Sequence, residues 1–187
     1  SKVNEDGSGY IFMNDINKLV DLGVKIYKEG DSEDLRFIAY KNASTKKINT
    51  VMRQWIYCDG DADMDIPQFM PGELIICNGG YNITEYESSG RRAVHNVIFN
   101  NQTFKVKESL DVEDGPGGLD SIALSLDPMP DMPLGSEIYA LHMERSQYTY
   151  WDKCNELKRN AREMTGQWPM YYAYMAQWAD FDYGYAI

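Results

Sequence analysis

The spacing of apolar residues changes twice along this chain, so its parts cannot all belong to one repeating type of structure. Between Asn14 and Lys28, Ile16, Leu19, Val20, Ile26 and Tyr27 recur mostly at helical spacing, with Asn14 or Asp15 placed to cap the start. The run Arg36-Phe-Ile-Ala-Tyr40 is short and apolar after its first residue, which predicts a buried strand. A second helix follows, with Ile48, Val51, Met52, Trp55 and Ile56 on one face and Lys46, Lys47, Asn49, Thr50 and Arg53 opposite. Helix, strand and helix in this order predict an α/β layer.

Past Asp59 the period shortens. Gly72–Cys77 reads as one strand, and Val94–Phe99 joined through Asn100-Asn101 to Thr103–Lys107 reads as a hairpin, because asparagine tolerates the left-handed backbone of a tight turn. Ser121–Leu126 and Ser136–Met143 supply two more strands. With Gly115-Pro-Gly-Gly118, Pro128, Pro130 and Pro133 between them, these runs predict a small SH3-like or OB-like barrel, inserted into the layer. Helical spacing returns at Ser146, with Trp151, Cys154, Leu157, Ala161 and Met164 on one face and Gly166 as a stop. Pro169 suits the first turn of a last helix. Its stripe, Trp168, Tyr171, Tyr172, Met175 and Trp178, reads as core, with base stacking as the alternative. The end, Asp182–Ile187, reads as a strand inside which the protein has been cut. The expected division is an α/β layer over residues 1–64, a barrel over 65–143, and helices and a strand over 144–187 that return to the layer.

Composition narrows the function. The 187 residues carry 18 Lys and Arg against 29 Asp and Glu, a net charge of −11, which argues against gripping nucleic acid with the whole surface. No stretch is apolar enough for a membrane span and the start lacks the pattern of a secretory signal, so no membrane partner is expected. Cys58, Cys77 and Cys154 are odd in number and far apart, which fits a reducing, cytoplasmic setting. Without a Gly-Lys pair there is no phosphate-binding loop ahead of a lysine. His95, His142 and the cysteines are too scattered for zinc, and neither histidine has a nearby Ser or Cys to activate. Asp59-Gly-Asp-Ala-Asp-Met-Asp65 opens like a calcium loop, yet Met64 and Met70 stand where that loop needs glycine and glutamate, so a solvated acidic loop is expected. The Asn-x-Ser/Thr triplets at Asn42, Asn82 and Asn101 carry little weight. No catalytic residue and no metal ligand is expected.

The acidic total hides one exception. Between Arg36 and Arg53 there are five basic residues, Arg36, Lys41, Lys46, Lys47 and Arg53, and no Asp or Glu. A strand running into Lys41-Asn42-Ala43-Ser44-Thr45-Lys46-Lys47 at a helix start gathers N–H groups, small hydroxyls and ammonium groups, chemistry suited to phosphate. The competing reading is a solvated helix face with Asn42 or Ser44 as its cap.

The segment Arg36–Arg53, followed by Pro71-Gly-Glu-Leu-Ile-Ile76, resembles the second motor domain of superfamily 1 DNA helicases of the Dda and RecD-like type. Asn49 and Arg53 match that family's Asn-x-x-x-Arg helix. The tail Trp168–Ile187 is similar to the segment preceding the family's Thr-x-His-Lys-x-Gln-Gly motif, and the chain ends just before that motif would begin. The resemblance implies a RecA-like α/β layer carrying an SH3-like barrel, and single-stranded DNA and the rest of the helicase chain as partners. It implies ATP and Mg for the parent but no cofactor and no hydrolysis in this piece. Lys41, Asn42, Ser44, Lys46 and Lys47 would meet the DNA backbone, Arg53 would either brace the domain or touch DNA, and Tyr81, Tyr86 and Phe104 would stack on bases or fill the barrel. From a different class, a stand-alone binding module using the Asp59–Asp65 loop with calcium to hold carbohydrate or protein stays open, as does a purely structural domain.

Overall fold

Asp15 starts the first helix, α1 (Ile16–Glu29), by accepting a hydrogen bond from the Asn17 N–H at 2.9 Å. The computed structural model describes residues 2–3, 9–10, 15–30, 36–39, 41–61, 63–86, 92–164 and 166–186; the alternative cap, Asn14, lies outside them. Two short strands, β1 (Lys2–Val3) and β2 (Gly9–Tyr10), pair antiparallel ahead of α1. The second helix, α2 (Asn42–Cys58), closes on Asp59, whose backbone is left-handed at φ 49°, and Lys28 reaches from the end of α1 to the Asp59 carboxylate at 2.7 Å. That lysine holds the Asp59 carboxyl below the usual carboxylate range.

The buried face of α2 is rotated from the one its apolar residues predict. Met52 is fully buried, but so are Asn49 and, nearly, Arg53, while Trp55 is 41 % exposed. The reason is a polar demand from the chain's other end. Asn49 Oδ1 accepts the Ala186 N–H at 2.7 Å, and a helix cannot turn Asn49 inward without also carrying Arg53, one turn along, with it. The predicted strand at Arg36–Tyr40 is reduced to one parallel bridge, Phe37 with Ala186, in which the Phe37 N–H donates to the Tyr185 carbonyl at 2.8 Å; Tyr40 lies outside the described residues.

These contacts divide the chain into one unit of residues 1–66 with 185–187 and a second of residues 67–184, inserted between the two parts of the first. In the second unit run β3 (Leu74–Cys77), β4 (Tyr81–Tyr86), β5 (Arg92–Ile98), β6 (Thr103–Val112), β7 (Ser121–Asp127), β8 (Ile138–Leu141), α3 (Met143–Glu163), α4 (Trp168–Met175) and β9 (Phe181–Tyr183). The chain is thus a mixed α/β protein. Five strands form an antiparallel sheet in the order β8-β7-β6-β3-β9, and β4 pairs with β5 separately. Asn101 does adopt the left-handed turn, φ 64°, but β5 and β6 do not form the expected hairpin with each other. Both edges of β6 are already occupied by β3 and β7, so β5 pairs with β4 instead.

The interior of this unit gathers Ile75, Val97, Ile98, Phe104, Val106, Leu126 and Ile138. β9 joins the sheet beside β3, so α3, α4 and β9 belong to the second unit, a different allotment from the sequence division at residue 144. His142 caps α3 through Nδ1, which accepts the Arg145 N–H, and Met164 rather than Gly166 takes the C-terminal cap. Cys58, Cys77 and Cys154 are free and buried, the last on the inner face of α3 as expected. Among the described residues no helix is long and apolar enough to cross a membrane. Truncating the fully buried Ile75 in Ile75→Ala removes contacts at the centre of the sheet. Urea denaturation should show a loss of about 2–5 kcal/mol, read as a lower midpoint with unchanged slope.

Candidate nucleic-acid interface

The start of α2 brings together the residues singled out from the sequence. Lys41 occupies the cap position without a side-chain capping bond, and no acidic residue stands in the first turn. Neither Asn42 nor Ser44 is therefore the cap: both are helical. The Lys41 carbonyl accepts the Ser44 N–H at 2.8 Å and the Thr45 N–H at 3.0 Å. Lys41, Asn42, Ser44, Lys46 and Lys47 are all exposed. Asn42 and Lys46 are four apart and Ser44 and Lys47 three apart, which sets them in two columns over the first two turns. The partial positive charge of the helix start adds to three ammonium groups there, with no carboxylate in the first turn to offset it. An oxyanion is what such a corner attracts.

Arg53 does not share that surface. It is 8 % exposed, on the inner side of α2 with Asn49. Tyr185 lies in the same interior, its ring edge-on to Tyr27 at 5.4 Å and its hydroxyl 3.4 Å from that of Tyr57. Asn49 and Arg53 thus belong to the framework behind the exposed helix start. Spacing could not separate them from Lys46 and Lys47, because the apolar stripe was too polar at its edge to fix the rotation of the helix.

Of the three aromatic residues considered in the barrel, Tyr81 and Phe104 are buried in the core of the second unit, and the side chain of Tyr86 lies outside the described residues. The acidic loop engages itself and α1: Asp61 accepts the Asp63 N–H at 3.0 Å, and Asp59 holds Lys28. Among the described residues, no three carboxylates, imidazoles or thiols gather as a metal-holding group. An open groove of about 620 Å³ lies between β4, β8 and α4, with Tyr81, Tyr139, Met170 and Gln177 in its walls and Glu137 at its rim. Tyr139 donates its hydroxyl hydrogen to the Glu137 carboxylate, and that bond, with burial, pushes the phenol up to about 12. A carboxylate at the rim disfavours phosphate.

The helix stripe Trp168–Trp178 also departs from its expected core position. Trp178 is buried, donating from Nε1 to Ser121 Oγ at 2.9 Å, but no residue of α4 is buried. The signal for this was present in the sequence: α4 is apolar on every side, so no stripe could direct one face inward. No family model matches this chain, and no curated protein matches it.

Two measurements check this geometry. Asn49→Ala leaves the buried Ala186 N–H without its acceptor and should cost about 1–3 kcal/mol in thermal denaturation, whereas Lys46→Ala should stay within about 0.5 kcal/mol of the parent. In a spectrophotometric titration, Tyr139 should ionise near pH 12, and Glu137→Gln should return it towards 10. Since the folded-state value is the higher one, the contribution of this bond to stability is complete below about pH 10 and is lost as pH rises through about 12.

Proposed function

We propose that this chain is a piece of a superfamily 1 DNA helicase of the Dda and RecD-like type, comprising part of its second RecA-like motor domain and the SH3-like barrel inserted there. The observation that carries the reading is the exposed, acid-free start of α2, where Lys41, Asn42, Ser44, Lys46 and Lys47 meet the backbone of single-stranded DNA. A RecA-like layer is supported by the parallel bridge between Phe37 and Ala186, since parallel neighbours joined by long crossovers are the pairing such layers use. An inserted barrel is supported by the antiparallel five-stranded sheet enclosed in residues 67–184.

In this reading Arg53 braces the layer from within, and the fragment contributes DNA contacts without hydrolysis. ATP and Mg belong to the parent, held by residues outside this chain, and the rest of the helicase is its protein partner. The setting is cytoplasmic. Phosphate contacts position the strand without reading its sequence, so binding is indifferent to base order and falls steeply with salt.

Fluorescence anisotropy with labelled oligothymidine at several salt concentrations tests this. Binding should be weak and salt-sensitive, and Lys46→Glu with Lys47→Glu should flatten the dependence of log K on log salt by about 1.4, the release expected for two phosphates of a single strand. An affinity and slope unchanged in the double variant would remove these lysines from the DNA path.

A further inference from the structure

The groove between β4, β8 and α4 follows the edge of a strand. Along β4 it touches Tyr81, Asn82, Ile83 and Thr84, four residues in succession. Successive side chains of a strand point to opposite faces, so a groove over one face meets alternate residues, whereas a groove along an edge meets them all. The edge is the one away from β5, since β4 pairs with β5 alone and no described residue of β5 lines the groove. Apart from that pairing, no main-chain hydrogen bond involves Tyr81 to Thr84 among the described residues. A stretch of about 13 Å, the length of four extended residues, thus presents alternate N–H and C=O groups to an open channel.

The opposite wall does not take up those groups. At Tyr139 the outer edge of β8 is already engaged: its carbonyl accepts the Ala179 N–H at 2.7 Å, and its N–H donates to the Tyr81 phenol oxygen. From α4 the groove receives the apolar side chains of Met170 and Ala173. Among the described residues lining it, Glu137 is the only charged one. Its Oε2 accepts the Tyr139 hydroxyl, and Oε1 has no partner among the described residues.

We propose that this groove binds an extended peptide that joins β4 as a third strand, sets alternate apolar side chains against Ile83, Met170 and Ala173, and places a lysine or arginine beside Glu137. A peptide strand is the ligand whose own main chain matches a row of alternate N–H and C=O groups, and its period of two sends one set of side chains into the groove and the other into water. Nucleic acid has no such row and would bring phosphate to the carboxylate. The net charge of −11 favours a basic segment as well. The site is separate from the start of α2 and does not depend on the DNA reading.

The test selects a displayed library of randomised ten-residue peptides on the whole chain. Enriched sequences should alternate apolar with polar residues and carry lysine or arginine. A fluorescein-labelled synthetic copy of the most enriched one is then prepared in two further forms, N-methylated at odd or at even positions. An added strand turns only alternate N–H groups towards β4, so in fluorescence anisotropy one form should lose binding and the other keep it. Ala173→Trp, at an exposed position, should fill the groove and weaken the unmethylated peptide by about tenfold or more. Glu137→Gln should weaken it about two- to fivefold, and should leave unchanged the binding of a copy whose basic residue is replaced by glutamine.

The methylated pair needs no variant of the protein, so a misfolded Ala173→Trp leaves the test intact. Failure to enrich any sequence, enrichment without alternation, or equal binding of the two methylated forms would overturn strand addition. Parent-like binding to folded Ala173→Trp would place the peptide elsewhere and overturn this site. Self-association of the parent protein in sedimentation that Ala173→Trp removes, with no peptide enriched, would give the edge to a second copy of the chain. Displacement of the peptide by oligothymidine would give it to nucleic acid, whereas loss of oligothymidine binding in the Lys46/Lys47 variant with peptide binding intact is the result expected of two separate sites.

Discussion

The first unit depends on one junction between distant parts of the chain. Phe37 and Ala186 meet in a parallel bridge, the Tyr185 carbonyl accepts from Phe37, and Asn49 accepts from Ala186. Each partner satisfies a main-chain group that is buried where water cannot reach it, and leaving any one unpaired carries the full cost of its desolvation. The same junction sets the rotation of α2. With Asn49 and Arg53 turned in, the residues at its start, Lys41 to Lys47, are left on the surface.

This rotation links packing to chemistry. A helix start with an unfilled side-chain cap and no acid in its first turn keeps its positive potential for an external anion. The protein's net charge of −11 has the opposite sign. A polyanion is therefore repelled by most of the surface and attracted where the basic residues cluster, which favours localised over diffuse binding. Charges spread evenly over the same chain would have neither property.

Much of the local structure was legible in the sequence. Asp15 caps α1, α2 and α3 form where the 3.6-residue period places helices, and Asn101 takes the left-handed turn, because each is decided by neighbours within a few residues; the buried faces were not so decided, since α2 is rotated and Trp151 and Met164, expected on the inner face of α3, are exposed. Pairing was not legible. Whether β5 joins β4 or β6 depends on which edges are free, and that is settled by β3 and β7, distant in the chain. The bracing role of Asn49 was hidden for the same reason, since its partner is Ala186. The cationic cluster, by contrast, is a matter of contiguous residues, so its exposure followed from composition, while the open face of α4 did not, because a helix apolar all round has no preferred inside.

Residue-by-residue amide NMR during titration with oligothymidine examines the start of α2 most directly. Shifts concentrated on Asn42 to Lys47, fading as salt is raised, are the predicted pattern. Saturable binding that moves other amides and leaves Asn42 to Lys47 where they were would contradict the assignment of this corner to the DNA backbone.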